Sequence, residues 1–277
     1  MAELAKHAID DDLEPDISHL QIEDDQPVDN IFSEKQQQLL VDSLDASLCD
    51  DLRPLVTLAN VGLFASPDQP PMVPDVMVAF QKTAPGPLDK KKNKTYLIWN
   101  YGSPPDIVIE LVSNTEGRED GAKLEKYQDW RVGHYVIYDP FEYLGARKLR
   151  AFQLHGSKYV ELLDPYKLPD LGLGFEVRNG TFRGYEGPWL RWIDHQGALL
   201  LTGAEKAEHE KARAEQEKAR ADEEKARAEQ EKARAEQESV RADQEQSRAD
   251  QEKARADQER ARAEELIARL RALGQDV

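Results

Sequence analysis

Apolar positions fall into three regimes along the chain. Between about residues 32 and 200 they recur at mixed periods, and nearly all the aromatic, proline and β-branched residues lie there. A helix is expected through EKQQQLLVDSLDASL, capped by Ser33, with Leu39, Leu40 and Leu44 as its apolar stripe. After Pro54, LVTLANVGLFAS reads as a strand. VPDVMVAF (73–80) and PDIVIELVS (105–113) are short, apolar and bounded by proline, as buried strands are. Asp120 to Arg131 carries Leu124 and Tyr127 at helical spacing, and HYVIYDP (134–140) is the next strand. KLRAFQLHGSKYVELL predicts two strands around a His-Gly-Ser turn. GLGFEVRNGTFRGYEG predicts a second hairpin, around Asn179-Gly180. A strand–helix–strand unit flanked by hairpins gives a mixed sheet with few helices.

The pattern changes abruptly from about Gly203. Proline and aromatic residues vanish, EKARAEQ repeats, and every seventh residue from Arg213 to Arg269 is arginine. These residue types favour helix. Pairs such as Lys211 with Glu215 and Arg213 with Glu217, at i,i+4, each add ~0.2–0.5 kcal/mol. The helix expected over 204–273 is roughly 100 Å long at 1.5 Å per residue. As a coiled coil it is weak. With Leu266, Leu270 and Leu273 on the seam, the earlier seam positions alternate Ala214, Ala221 and Ala228 with Glu217, Glu224 and Glu231. The expectation is a solvated helix with homo-oligomerisation confined to ELIARLRAL.

Composition narrows the function classes. The net charge is -17, from 54 acidic and 37 basic residues. That balance disfavours broad, salt-driven DNA affinity, although a local basic groove remains compatible with it. Residues 1–31 are acidic and poor in aromatics, and are expected to form a flexible arm. That arm has no apolar core of a signal peptide, and no apolar run reaches the ~18 residues of a membrane span, so no membrane partner and a cytoplasmic setting are expected. Cys49 is the only cysteine, which excludes an intramolecular disulfide and cysteine-based zinc; a small buried hydrophobe is its expected role.

Two carboxylates stand out. Asp75 opens an apolar strand, and alternation puts Asp106, Val108 and Glu110 on one face of the other, with Ile107, Ile109 and Leu111 opposite. A carboxylate inside a buried run is costly unless it is paired, hydrogen-bonded or bound to a cation. Two of them on neighbouring strands would repel without a cation between them. Hard oxygen ligands that leave room for water and phosphate suit Mg2+.

The ordered blocks VPDVMVAF, PPDIVIELVSN, KLEKY and YVIYDP resemble the PD-(D/E)XK nuclease superfamily and, more closely, the Uma-type restriction endonuclease family of bacteria. The resemblance covers roughly residues 32 to 195. It implies an α/β domain with a restriction-endonuclease-like mixed sheet over 32–200, and a magnesium-dependent endonuclease acting on DNA. Asp75 and Glu110 would be the metal ligands. The superfamily's lysine stands two residues after the acidic ligand, where this chain has Val112. A lysine from the next helix would replace it: Lys123, with Lys126 as fallback, to orient or deprotonate water or to stabilise the phosphoryl charge. A lysine on a solvated helix face is the competing reading.

Of the remaining polar residues, Asp106 lies about 13 Å from Glu110 along the strand and is expected to be structural. Ser113 suits a strand-end turn, and Glu34 or Gln36 could lend an outer ligand. Lys90, Lys91, Lys92 and Lys94 form the one dense basic run, expected as a solvated loop that could touch a DNA backbone. His134 and His155 have no partner at ligand spacing. Without a histidine cluster, a different metal hydrolase has little support. The main alternative is a binding scaffold, in which a degenerate nuclease fold presents the long helix.

Overall fold

A computed structural model describes residues 30–48, 54–83, 86–113 and 119–272. Cys49 and the acidic arm before Asn30 lie outside the described residues. The chain divides into two compact units, residues 1–207 and 208–277.

The first unit opens with helix α1 (Ile31–Leu48). Asn30, rather than Ser33, is its cap: the Asn30 side-chain oxygen accepts the Ser33 N–H at 2.9 Å, and Ser33 sits buried in the first turn. Leu39, Leu40 and Leu44 are fully buried. Strand β1 (Leu55–Ala59) follows, and then β2 (Leu63–Phe64). The single strand expected here is broken because Asn60 adopts the left-handed region (φ 54°), which short polar side chains tolerate.

The main sheet combines β1 with β3 (Val76–Phe80), β5 (Ile107–Leu111), β6 (His134–Tyr138), β7 (Leu149–His155) and β8 (Lys158–Glu161), in the order β1-β3-β5-β6-β7-β8. The β5–β6 pair is parallel and every other pair is antiparallel. Between β5 and β6 runs helix α3 (Leu124–Asp129), and β4 (Tyr96–Leu97) leads into the short helix α2 (Ile98–Tyr101). The mixed sheet with few helices is therefore present, and the strand–helix–strand unit lies at its centre.

Both faces of β5 are covered, which explains its almost unbroken apolar sequence. Ile107, Ile109 and Leu111 join a core shared with α1 and with a second sheet of β9 (Lys167–Leu168), β10 (Leu173–Phe182) and β11 (Tyr185–Asp194). Val108 faces the other way, into a core with Tyr127, Trp130 and Tyr135.

The β10–β11 hairpin corrects the turn expected at Asn179-Gly180. These two residues lie inside β10, paired with Pro188 and Gly187, and the turn is Arg183-Gly184. Arg183 (φ 48°) and Gly184 (φ 86°) both have the positive φ that a two-residue type I′ turn demands. The longer hairpin brings Trp189 over the Gly180 carbonyl, to which its indole donates at 2.9 Å. Gln36 ties α1 to β11 through two backbone bonds, giving a hydrogen to the Leu190 carbonyl and accepting the Leu190 N–H, both at 2.8 Å.

Helix α4 (Gly203–Ala272) starts in the first unit with a capping box. Thr202 N–H donates to the Glu205 carboxylate at 2.8 Å, and Glu205 N–H returns a bond to the Thr202 hydroxyl. Arg191 grips the same carboxylate with two nitrogens, at 2.9 and 2.8 Å. In the second unit the helix is exposed throughout its described side chains, with ion pairs such as Arg213 with Glu217 along it. No helix among the described residues is long and apolar enough to cross a membrane.

Replacing Gln36 with leucine leaves the buried N–H and C=O of Leu190 without partners. At roughly 1–3 kcal/mol for each unsatisfied group, the unfolding free energy should drop by about 2–6 kcal/mol, as read from the urea midpoint at unchanged m-value.

Candidate active site

The carboxylate of Glu110 projects from β5 into the core that faces α3 and is 1% exposed. In the antiparallel register of β3 and β5, Val76 opposes Ile109. The preceding residue, Asp75, therefore comes opposite Glu110 at the start of β3. Asp75 is half-buried, with both oxygens engaged: one accepts the Leu111 N–H and the other the Gln37 amide, each at 2.7 Å. Glu110 is held from the helix side. Tyr127 donates its hydroxyl at 2.6 Å, and the Lys123 ammonium lies 2.9 Å from the other oxygen.

Lys123 reaches Glu110 because the expected helix Asp120–Arg131 is not regular. Residues Glu119–Lys123 form a wider π-type turn interrupted at Gly121 (φ −123°, ψ −105°), and α3 proper begins at Leu124. Lys126, one turn on, places its ammonium 5.2 Å from the centre of the Trp130 ring. The structure thus brings Asp75, Glu110 and Lys123 together and sends Lys126 elsewhere.

The first helix contributes a different residue from those anticipated. Gln36 is spent on Leu190, and Glu34 pairs with Lys35 at 2.8 Å and accepts from Gln38. Gln37 is the site residue, and its own carbonyl oxygen is fixed by the Asn60 amide at 2.9 Å. A signal existed. Gln37 stands three residues before Leu40, close to the apolar stripe, where an unburied amide would not be expected.

Asp106 has the structural role anticipated for it: its carboxylate accepts the Phe80 N–H at 2.7 Å and ties the start of β5 to the end of β3. Ser113 follows the end of β5 and is half-buried. The lysine run forms a single 3-10 turn, Lys91–Asn93. His134 lies 3.2 Å from Asp170, and His155 approaches Gln153.

Electrostatics sharpen the picture. Burial, and then repulsion by Asp75, push the Glu110 carboxyl up to about 8, against the opposing pull of Lys123 and Tyr127. Burial also raises Asp75, opposed by the Leu111 N–H and Lys123. Asp75, Glu110 and the one ammonium of Lys123 thus share a site in which the Glu110 carboxyl keeps its proton up to about pH 8. The donor set is hard and all-oxygen, and among the described residues no group of three or more His, Cys, Asp or Glu could hold a metal. Two carboxylates completed by water and a substrate phosphate match the coordination that Mg2+ favours, so the residues present fit that ion.

The fold and the paired carboxylates define the class: a mixed α/β protein with an acidic cluster at the edge of its central parallel strand pair. A family model described as "Putative restriction endonuclease" (Uma2) matches residues 15–176. The chain belongs to this family. No curated protein matches it.

Because the folded carboxyl of Glu110 titrates near 8, well above the ordinary 4.5, the folded metal-free protein binds the extra proton between those values. Stability must fall as pH rises through that window. Thermal melts in EDTA should show a lower Tm at pH 9 than at pH 5.5, and Glu110→Gln should flatten the slope. An equal slope in wild type and variant would place the titrating group elsewhere.

Proposed function

We propose that the protein is a magnesium-dependent DNA endonuclease that hydrolyses phosphodiester bonds at Asp75, Glu110 and Lys123. The observation that carries this reading is the ion pair of Lys123 with Glu110 at 2.9 Å. It supplies, from the turn before α3, the cation missing at Val112. Family membership supports the same class of chemistry.

Asp75 and Glu110 would hold the ion, which when bound would polarise the phosphate and acidify a water. Tyr127 and Gln37 orient the two carboxylates, so that their oxygens are fixed before substrate arrives. Lys123 donates to Glu110 as an ammonium. A group in that state cannot accept a proton, so its part is electrostatic, beside the charge that develops on the phosphoryl oxygens. Water adds to phosphorus in line with the ester bond that breaks. The water's proton is lost to the medium, and the leaving oxygen gains one from it.

A scaffold role for a degenerate fold is less well supported, because Lys123 restores the charge that the scaffold reading requires to be lost. The long helix has its own proposed task. Leu266 and Ile267 are 60% and 39% exposed near its end, and we assign self-association of the chain to that segment.

Purified protein should nick or linearise plasmid DNA in magnesium and not in EDTA. Asp75→Ala and Glu110→Ala should abolish cleavage, and Lys123→Ala should slow it by roughly 10²–10³, the usual loss for one electrostatic donor. Inactivity of the parent across divalent ions and DNA forms would refute the nuclease reading. Separately, in analytical ultracentrifugation the doubly substituted Leu266→Asp, Ile267→Asp chain should stay monomeric at concentrations where the parent associates. A parent that is monomeric throughout would refute the self-association.

A further inference from the structure

The row of cross-strand partners that holds the two carboxylates continues beyond them. Glu110 on β5 is paired with Ile137 on β6, and Ile137 with Arg150 on β7. Residues paired across strands point to the same face of a sheet, so Arg150 shares the α3-facing side with Glu110. The packing agrees. Ile137 and Phe152 belong to the same core as Tyr127, and the Arg150 guanidinium lies 5.1 Å from the Phe152 ring centre. Two strand spacings of ~4.8 Å put the Glu110 and Arg150 backbones about 10 Å apart.

A second arginine comes from the loop after β6. Asp139, 1% exposed, accepts the N–H groups of Tyr143 at 2.9 Å and Leu144 at 2.7 Å, which fixes that loop. Arg147, farther along it, reaches Arg150. One oxygen of Glu161 on β8 lies 2.7 Å from Arg147 and 3.1 Å from Arg150. The two arginines, Ile137, Leu144 and Asp139 wall a hollow of 70 Å³. Since Ile137 is the strand partner of Glu110, the hollow begins one strand away from the carboxylate.

Exposed ion pairs contribute little to stability, so the fold alone gives a weak reason to gather two arginines here. Each guanidinium carries several N–H donors in a planar fork that matches the oxygens of a phosphate, and the two share a single oxygen of Glu161. The other carboxylate at the hollow, Asp139, gives both its oxygens to the loop. At 70 Å³ the space is far below the roughly 300–1,000 Å³ of pockets that enclose an organic ligand, and is on the scale of one small anion. We infer that Arg147 and Arg150 form a subsite for a backbone phosphate of the DNA. It would lie two or three nucleotides from the phosphate at Glu110, at about 3.4 Å of axial rise for each. A basic patch on this face supplies locally what a chain of net charge -17 lacks as a whole. The inference says how the site proposed above holds its substrate, and it rests on that reading.

The test follows the anisotropy of a fluorescein-labelled DNA duplex in calcium, over a series of KCl concentrations. Arg147→Gln and Arg150→Gln should each weaken binding by roughly 10- to 100-fold. Each should also lower the slope of log affinity on log salt by about 1. Arg150→Lys should lose affinity and keep the slope, because the charge stays and the fork goes. Glu161→Gln breaks the same ion pairs but should tighten binding, since a competing carboxylate is gone. Arginine variants that lower Tm and leave affinity and slope unchanged would overturn the inference, as would a parent that binds no DNA. So would a Glu161→Gln variant that loses affinity as the arginine variants do, because the ion pairs would then matter only for the fold. Plasmid cleavage is scored apart, against Asp75→Ala. In an active parent the arginine variants should raise KM more than they lower kcat, as expected of groups that hold substrate away from the reacting phosphate. Cleavage with silent arginine variants sinks the subsite and spares the nuclease, whereas arginine-dependent binding without cleavage by the parent does the reverse.

Discussion

A carboxylate enclosed in a hydrophobic sheet sets the terms for its neighbours. Glu110 is the fourth of the five residues of β5, whose other residues are all buried apolar side chains, and a charge there is tolerated only with partners on every side. The three elements around it each supply something. The turn before α3 brings Lys123, α3 brings the Tyr127 hydroxyl, and the start of β3 brings a second carboxylate that makes the balance worse. Gln37 and the Leu111 N–H then hold Asp75 in place. An arrangement that served stability alone would not set a second carboxylate beside a buried first one. In the metal-free protein the conflict is met by protonation, since burial and Asp75 push the Glu110 carboxyl up to about 8.

Much of this was legible in the sequence, and the parts that were not share a cause. Period-two alternation placed Glu110 opposite Ile109 and Leu111, because β5 is buried on both faces and its register admits no slip. The pairing of Asp75 with Glu110 depended on which strands are neighbours, and Pro-Asp at both strand starts hinted at it without fixing it. Lys123 was preferred to Lys126 for lying on the helix face of Leu124 and Tyr127 that was expected to pack on the sheet, but the Gly121 interruption before it is a matter of backbone rather than pattern. Gln37 was passed over for Glu34 and Gln36. A rotation of one residue around α1, about 100°, separates the side chain that reaches Asp75 from the one that reaches Leu190.

The hairpin was misread for a related reason. Asn-Gly is the stronger local turn signal, yet the turn fell at Arg183-Gly184. With the turn there, β10 and β11 run ten residues each, which buries Trp189 and Trp192 and lets Gln36 meet Leu190. Tertiary burial outweighed a local preference. The break at Asn60 shows the complementary case, in which a left-handed residue ends β1 and at the same time offers its amide to Gln37. Local irregularities of this kind are where the scaffold becomes a site.

Net charge is a poor guide to what such a site can bind. Residues 1–31 hold ten acidic side chains against one lysine, more than half of the excess, while the repeat helix nearly balances its own charges. At physiological ionic strength charges act over about 8 Å, whereas the helix extends for about 105 Å at 1.5 Å per residue. The groups in contact with Glu110 are the Lys123 ammonium and the Tyr127 hydroxyl, with the Asp75 carboxyl opposite. For a domain of this composition, the local arrangement of charges decides a site's electrostatics more than the sum over the chain does.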